Sequence, residues 1–88
     1  MKKLIEDNYE STVLRGLITP DTNHNDFIEK LREEVLEADQ AESMYELSFE
    51  LADIVLTAIN YARHYEINIE KFLKDKIHIN YARAKTIK

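Results

Sequence analysis

The sequence predicts an all-α fold, a bundle of four helices forming a single domain over residues 1–88. Three observations predict it. One glycine and one proline in 88 residues leave few places to turn. Apolar side chains recur at three- and four-residue steps, which is helical spacing. The segments between these stripes are short and polar, as helix–helix connections are.

The first helix is predicted over about Leu4 to Arg15, with Leu4, Ile5, Tyr9, Val13 and Leu14 as a loose apolar stripe. Gly16 suits its stop and Pro20 blocks continuation. Thr22 or Asn23 is placed to cap the second helix, about Asn25 to Ala38, whose core stripe is Phe27, Ile28, Leu31, Val35 and Ala38. The third helix, about Ser43 to His64, is the most apolar (Leu47, Leu51, Ile54, Val55, Ala58, Ile59, Ala62) and is expected at the centre. The fourth, about Ile69 to Arg83, is expected to turn Phe72, Leu73 and Ile77 inward in a mostly antiparallel arrangement.

A chain of this size hides only about 60–65% of its unfolded surface. No cysteine is present to add disulfides or thiolate zinc sites, so a homo-oligomer, dimer or tetramer, is the expected source of further burial. The opening Met1-Lys2-Lys3-Leu4-Ile5-Glu6 lacks the apolar stretch of a signal peptide, and no apolar run is long enough to cross a bilayer. A cytoplasmic protein with no membrane partner is expected. The formal charge of −5 argues against nucleic acid as a partner. A nucleotide remains compatible, because a bound metal reverses the local sign of a site.

Two acidic pairs stand out, Glu34-x-x-Glu37 and Glu50-x-x-Asp53. Residues three apart share nearly one helix face, so each pair can aim two carboxylates at one point. If the second and third helices pack antiparallel, four carboxylates converge, and hard divalent cations, Mg²⁺ foremost, relieve the repulsion. Removing these four groups would change the charge from −5 to −1. Glu34 and Glu37 taken alone also fit a solvated face. Glu50 and Asp53 interrupt an apolar helix, where buried carboxylates need partners.

The run Lys30-Leu31-Arg32-Glu33-Glu34-Val35-Leu36-Glu37, followed by Glu50-Leu51-Ala52-Asp53-Ile54-Val55, resembles the EExxE…ExxD signature of the MazG-like all-α nucleoside triphosphate pyrophosphohydrolases. The tail Lys76-Ile77-His78-Ile79-Asn80-Tyr81-Ala82-Arg83 is similar to the family's KxxxNxxR pattern, and Arg15-Gly16-Leu17-Ile18-Thr19 before Phe27 is similar to short members. The turn His64-Tyr65-Glu66-Ile67-Asn68 lacks the glycine common in the family, which would leave a left-handed position to Glu66 or Asn68.

The resemblance implies that Glu34, Glu37, Glu50 and Asp53 hold Mg²⁺, with Mn²⁺ as a substitute. It implies hydrolysis of nucleoside triphosphates to monophosphate and pyrophosphate, as in nucleotide-pool house-cleaning. Glu33 reads as an outer ligand, a water-orienting base beside Glu37, or a solvated neighbour. Lys30 reads as a phosphate contact or an intrahelical partner of Glu34. Lys76, Asn80 and Arg83 share one face of the last helix and read as phosphate and sugar contacts or as a solvated basic end. The histidines, His24, His64 and His78, read as surface or capping residues. Three rivals stand beside this reading: phosphoribosyl-ATP pyrophosphatase on the same fold, a di-iron bundle lacking its Glu-x-x-His pairs, and a noncatalytic helical interaction module.

Overall fold

A computed structural model describes residues 1–86 as four helices: α1 (Lys2–Leu14), α2 (His24–Asp39), α3 (Met44–His64) and α4 (Ile69–Thr86), with no strand among the described residues. The chain writes its own boundaries. Asn23 caps α2 in a reciprocal box, its Oδ1 accepting from Asp26 N at 3.2 Å while Asp26 Oδ2 accepts from Asn23 N at 2.9 Å. Ser43 Oγ accepts from Glu46 N at the start of α3, and Asn68 Oδ1 accepts from Lys71 N at the start of α4.

Two helices end in the same hydrogen-bonded motif. After α1, Leu17 N bonds Thr12 O and Gly16 N bonds Val13 O, with Gly16 at φ +73°. After α3, Ile67 N bonds Ala62 O and Glu66 N bonds Arg63 O, and the left-handed position falls to Glu66 at φ 57°. Glycine takes that conformation freely, whereas an L side chain strains against the neighbouring carbonyl by about 1–2 kcal/mol. Glu66→Gly is therefore expected to raise stability by about 0.5–1 kcal/mol, read as a higher urea midpoint at unchanged slope. A lower midpoint would mean that Glu66 makes contributions that outweigh its backbone strain.

α3 is the hub, in contact with each of the other three helices. α2 runs antiparallel to it: Phe27 meets Tyr61 and His64 at one end, and Glu37 meets Glu50 at the other. α1 also pairs with α3 in the opposite sense, through Glu6–Arg63, Tyr9–His64 and Thr12–Asn60. α1 and α2 therefore run the same way, and the polar link 15–23 returns along the protein between them.

The apolar core is small: Ile18, Phe27, Ile59 and Ala62, joined by the buried polar residues Thr12, Glu34 and Asn60. The stripe expected on α1 shifts accordingly. Val13 and Leu14 are exposed, and the inward face is Ile5, Asn8, Tyr9 and Thr12, because Asn8 and Thr12 bond to α3 rather than to water. α4 departs from a four-helix bundle within one chain. Among the described residues it packs on no helix but α3, and the α-amino group of Met1 lies 3.5 Å from Glu70 near its start. Phe72, Leu73 and Ile77, expected to face inward, are exposed. The radius of gyration is correspondingly 15.3 Å, against about 12 Å for a compact chain of this length.

Candidate functional site

Antiparallel packing of α2 on α3 brings two stripes together. On α2 the stripe is Phe27, Lys30, Glu34 and Glu37; on α3 it is Glu50, Asp53, Thr57, Asn60 and His64, all at steps of three or four. Most of these residues line a cleft of about 430 Å³, whose third wall comes from α1 and the link after it through Asn8, Thr12, Arg15, Leu17 and Ile18.

The four sequence-predicted carboxylates meet at one end. Glu34 is 5% exposed, and its Oε1 has no hydrogen-bond partner among the described residues. Burial pushes its carboxyl above the ordinary value of 4.5; the Thr57 hydroxyl and Lys30 offset part of this, while Asp53 and Glu37 add to it. Glu50 is half-buried with Oε2 unpartnered. Desolvation raises its carboxyl first, then a hydrogen bond with Glu37 and the charges of Glu37, Asp53 and Glu34. Each of the two helices thus contributes to one electrostatically coupled group.

As the side chains stand, no three of them among the described residues are drawn together tightly enough to hold an ion. The donor set nevertheless suits a hard cation. It is all oxygen, it holds two orphaned buried oxygens, and Lys30, the cation that bears on Glu34, itself leans on Glu33 at 3.8 Å.

The pH dependence has a definite sign. Glu34 and Glu50 titrate higher in the fold than in the unfolded chain, so their contribution to stability is fully present below about 4.5 and is lost as pH rises through the folded values. In EDTA, the melting midpoint is expected to fall between weakly acidic and neutral pH. Mg²⁺ should restore it most at neutral pH, where the ligands are ionised and binding favours the folded state. A midpoint indifferent to Mg²⁺ at neutral pH would remove the cation from the site.

Other predicted residues are distributed as follows. Lys30 and Glu33 are exposed on the cleft wall. Lys76, Asn80 and Arg83 lie on exposed α4, outside the residues lining the cleft of their own chain.

Two features escaped sequence reasoning. The first is a hydrogen-bonded chain across α1 and α3: Asn8 Nδ2 donates to Leu56 O at 3.2 Å and Asn60 Oδ1 at 2.8 Å, and Asn60 Nδ2 donates to Thr12 Oγ1 at 3.0 Å. The second is His64, which is half-buried rather than on the surface. Its Nε2 lies 2.7 Å from Thr22 O, a group that only accepts, so in the neutral ring Nε2 carries the proton and Nδ1 accepts from Tyr9 OH at 2.8 Å. Phe27 stacks on Tyr61 with ring centroids 4.8 Å apart beside it, and Tyr61 OH contacts His24 Nδ1. The available signal was that Asn60 and His64 continue the Asp53–Thr57 stripe at helical steps. Comparison with known proteins found no matching family model, curated protein or solved structure.

Proposed function

We propose that the chain is a metal-dependent hydrolase of phosphoanhydrides. Within that class we assign it to the MazG-like nucleoside triphosphate pyrophosphohydrolases, which release nucleoside monophosphate and pyrophosphate. One observation carries the reading: a buried glutamate with an unpartnered oxygen, Glu34 Oε1, sits in a four-carboxylate group opening onto a cleft. Folding leaves such a group costly unless something on the ligand side completes it.

Glu34, Glu37, Glu50 and Asp53 would hold Mg²⁺. When bound, Mg²⁺ supplies charge neutralisation for the triphosphate and acidifies water at phosphorus. The rigid α2–α3 pair fixes where the phosphates sit. Lys30 at the cleft wall neutralises phosphate oxygens. Glu37 or its neighbour Glu33 takes the proton of the attacking water.

A second copy of the chain completes the fold in this reading. The protein exposes 7125 Å², whereas a compact monomer of 10.4 kDa exposes about 5,400 Å². That excess is more than the roughly 800 Å² each partner contributes to a standard interface. The uncovered side chains include Phe72, Leu73 and Ile77 on α4 and Leu51 and Val55 on α3. Sedimentation should report a dimer or larger, and a monomer at high concentration would count against it.

The test of activity is a panel of nucleoside triphosphates and phosphoribosyl-ATP incubated with Mg²⁺, with and without EDTA, followed by pyrophosphate release. Turnover that requires the metal and disappears in Glu50→Gln supports the reading. Equal release by Glu50→Gln and the native chain refutes it, and exclusive use of phosphoribosyl-ATP would redirect it to that activity.

A further inference from the structure

The cleft continues past the carboxylates. From Asp53 to Asn60 is seven residues, about 10 Å along α3. This is the span that separates the phosphates of a nucleotide from its sugar and base. Towards that far end the lining gains an uncharged polar patch, Asn8, Thr12 and Asn60, between the apolar side chains Ile18, Phe27 and Leu56, with Asp26 and Glu29 on the α2 wall beside Phe27. Apolar walls with a few fixed polar groups are what a small-molecule site needs.

The polarity of these groups is fixed by two backbone carbonyls. Leu56 O only accepts, so the Asn8 side chain must turn its nitrogen towards it, and the second hydrogen of that nitrogen goes to Asn60 Oδ1. Asn60 must then present Nδ2 to Thr12 Oγ1, whose own hydrogen goes to Asn8 O at 2.9 Å. Both amide hydrogens of Asn8 and the Thr12 hydroxyl hydrogen are therefore engaged. Asn8 Oδ1 keeps both lone pairs, and no donor among the described residues reaches it. Thr12 Oγ1 and Asn60 Oδ1 each keep one, whereas a single hydrogen, on Asn60 Nδ2, remains. The patch is a set of oriented acceptors.

We propose that the Asn8–Thr12–Asn60 patch is the nucleoside subsite and that it selects ligands offering a hydrogen-bond donor there, through Asn8 Oδ1. The donor is an exocyclic amino group of the base or a hydroxyl of the sugar. A carbonyl in the same place would face acceptor against acceptor and leave Asn8 Oδ1 desolvated without a donor. This rests on the hydrolase reading above, and its failure is separable from that reading.

The experiment measures kcat/KM with Mg²⁺ for matched pairs. dCTP against its pyrimidin-2-one analogue and dATP against its purine analogue replace the exocyclic amino group by hydrogen and leave the ring nitrogens unchanged; dCTP against its 3′-deoxy analogue removes a hydroxyl. The native chain is expected to favour the donor-bearing member of the base pairs or of the sugar pair by about tenfold, the worth of one hydrogen bond. Which pair responds identifies the source of the donor. Asn8→Ala is expected to bring that ratio close to one. The variant retains the carboxylates, and Leu56 O keeps its place in the helix ladder, so melting should report a folded chain. If it does not fold, the native panel decides alone. Hydrolysis of every pair at equal rates overturns the inference and leaves the hydrolase reading standing. A ratio that survives Asn8→Ala in a folded variant also overturns it. No hydrolysis of any member refutes both.

Discussion

Glu34→Gln is expected to lower Mg²⁺-dependent pyrophosphate release by on the order of 10²–10³-fold, and to leave the metal-free chain at least as stable as the native one. The two effects have opposite signs for one reason. Glu34 is buried, its Oε1 is unpartnered, and Asp53 and Glu37 push its carboxyl up. A charge held there without a counter-ion costs the fold, and an uncharged amide of the same shape removes that cost. The same charge is what a divalent cation would use, and the cation in turn would neutralise the triphosphate. An enzyme site commonly stands in this relation to its fold, with binding strength gained where stability is lost. The measurements are pyrophosphate release under saturating Mg²⁺ and urea unfolding in EDTA at neutral pH. A variant that loses stability in EDTA while keeping activity would show Glu34 to be a structural carboxylate, and the metal reading would lose its central ligand.

The carboxylate group was legible in the sequence because its signal is local. Glu34 and Glu37, and Glu50 and Asp53, lie three apart, and a helix turns such pairs to one side whatever else happens. One further assumption, that α2 and α3 pack antiparallel, sufficed to bring the pairs together. The left-handed position after α3 was legible as falling to Glu66 or Asn68, since no glycine is available in that turn; the fold puts it at Glu66.

The Asn8–Thr12–Asn60 patch of the cleft was not legible. Asn8 and Thr12 on α1 look like solvated polar positions, and only the arrival of Asn60 from a residue 48 to 52 positions away makes them inward-facing. Asn60 and His64 continue the period of the Asp53–Thr57 stripe, but a period on one helix does not name a partner that distant in sequence. His64 failed in the same way: its partners, Tyr9 and the Thr22 carbonyl, come from two other segments. α4 failed differently. The spacing of Phe72, Leu73 and Ile77 states that one face wants cover, and it carries no information about whether the cover comes from the same chain. Within one chain, α3 already gives its faces to α1 and α2, and α4 is left with a short contact near its start.

Phe27→Ala is expected to cost about 3–5 kcal/mol, the range for removing a buried aromatic side chain. That is a large part of what an 88-residue domain has in hand, about 4–13 kcal/mol at the usual stability per residue. Phe27 is 4% exposed and stacks on Tyr61 at 9° between ring planes, and the same ring meets His64 and Tyr65. Among the described residues the further buried apolar side chains are Ile18, Ile59 and Ala62, a core too small to absorb the loss of a phenyl ring without cost. The loss also spreads. His64 bonds Tyr9 on α1 and the Thr22 carbonyl just before α2, so a cavity beside its ring loosens the junction that holds both helices to α3. Phe72→Ala is the matched control, because the same truncation at a residue 54% exposed within its own chain should cost a monomer about 0.5 kcal/mol or less. Urea unfolding at low protein concentration separates the two. Repeating it at high concentration adds a second readout: if a partner copy covers α4, the Phe72→Ala loss grows with concentration while the Phe27→Ala loss stays large throughout. A Phe27→Ala chain that unfolds within about 1 kcal/mol of the native one would mean that the aromatic cluster does not anchor the junction of the three packed helices.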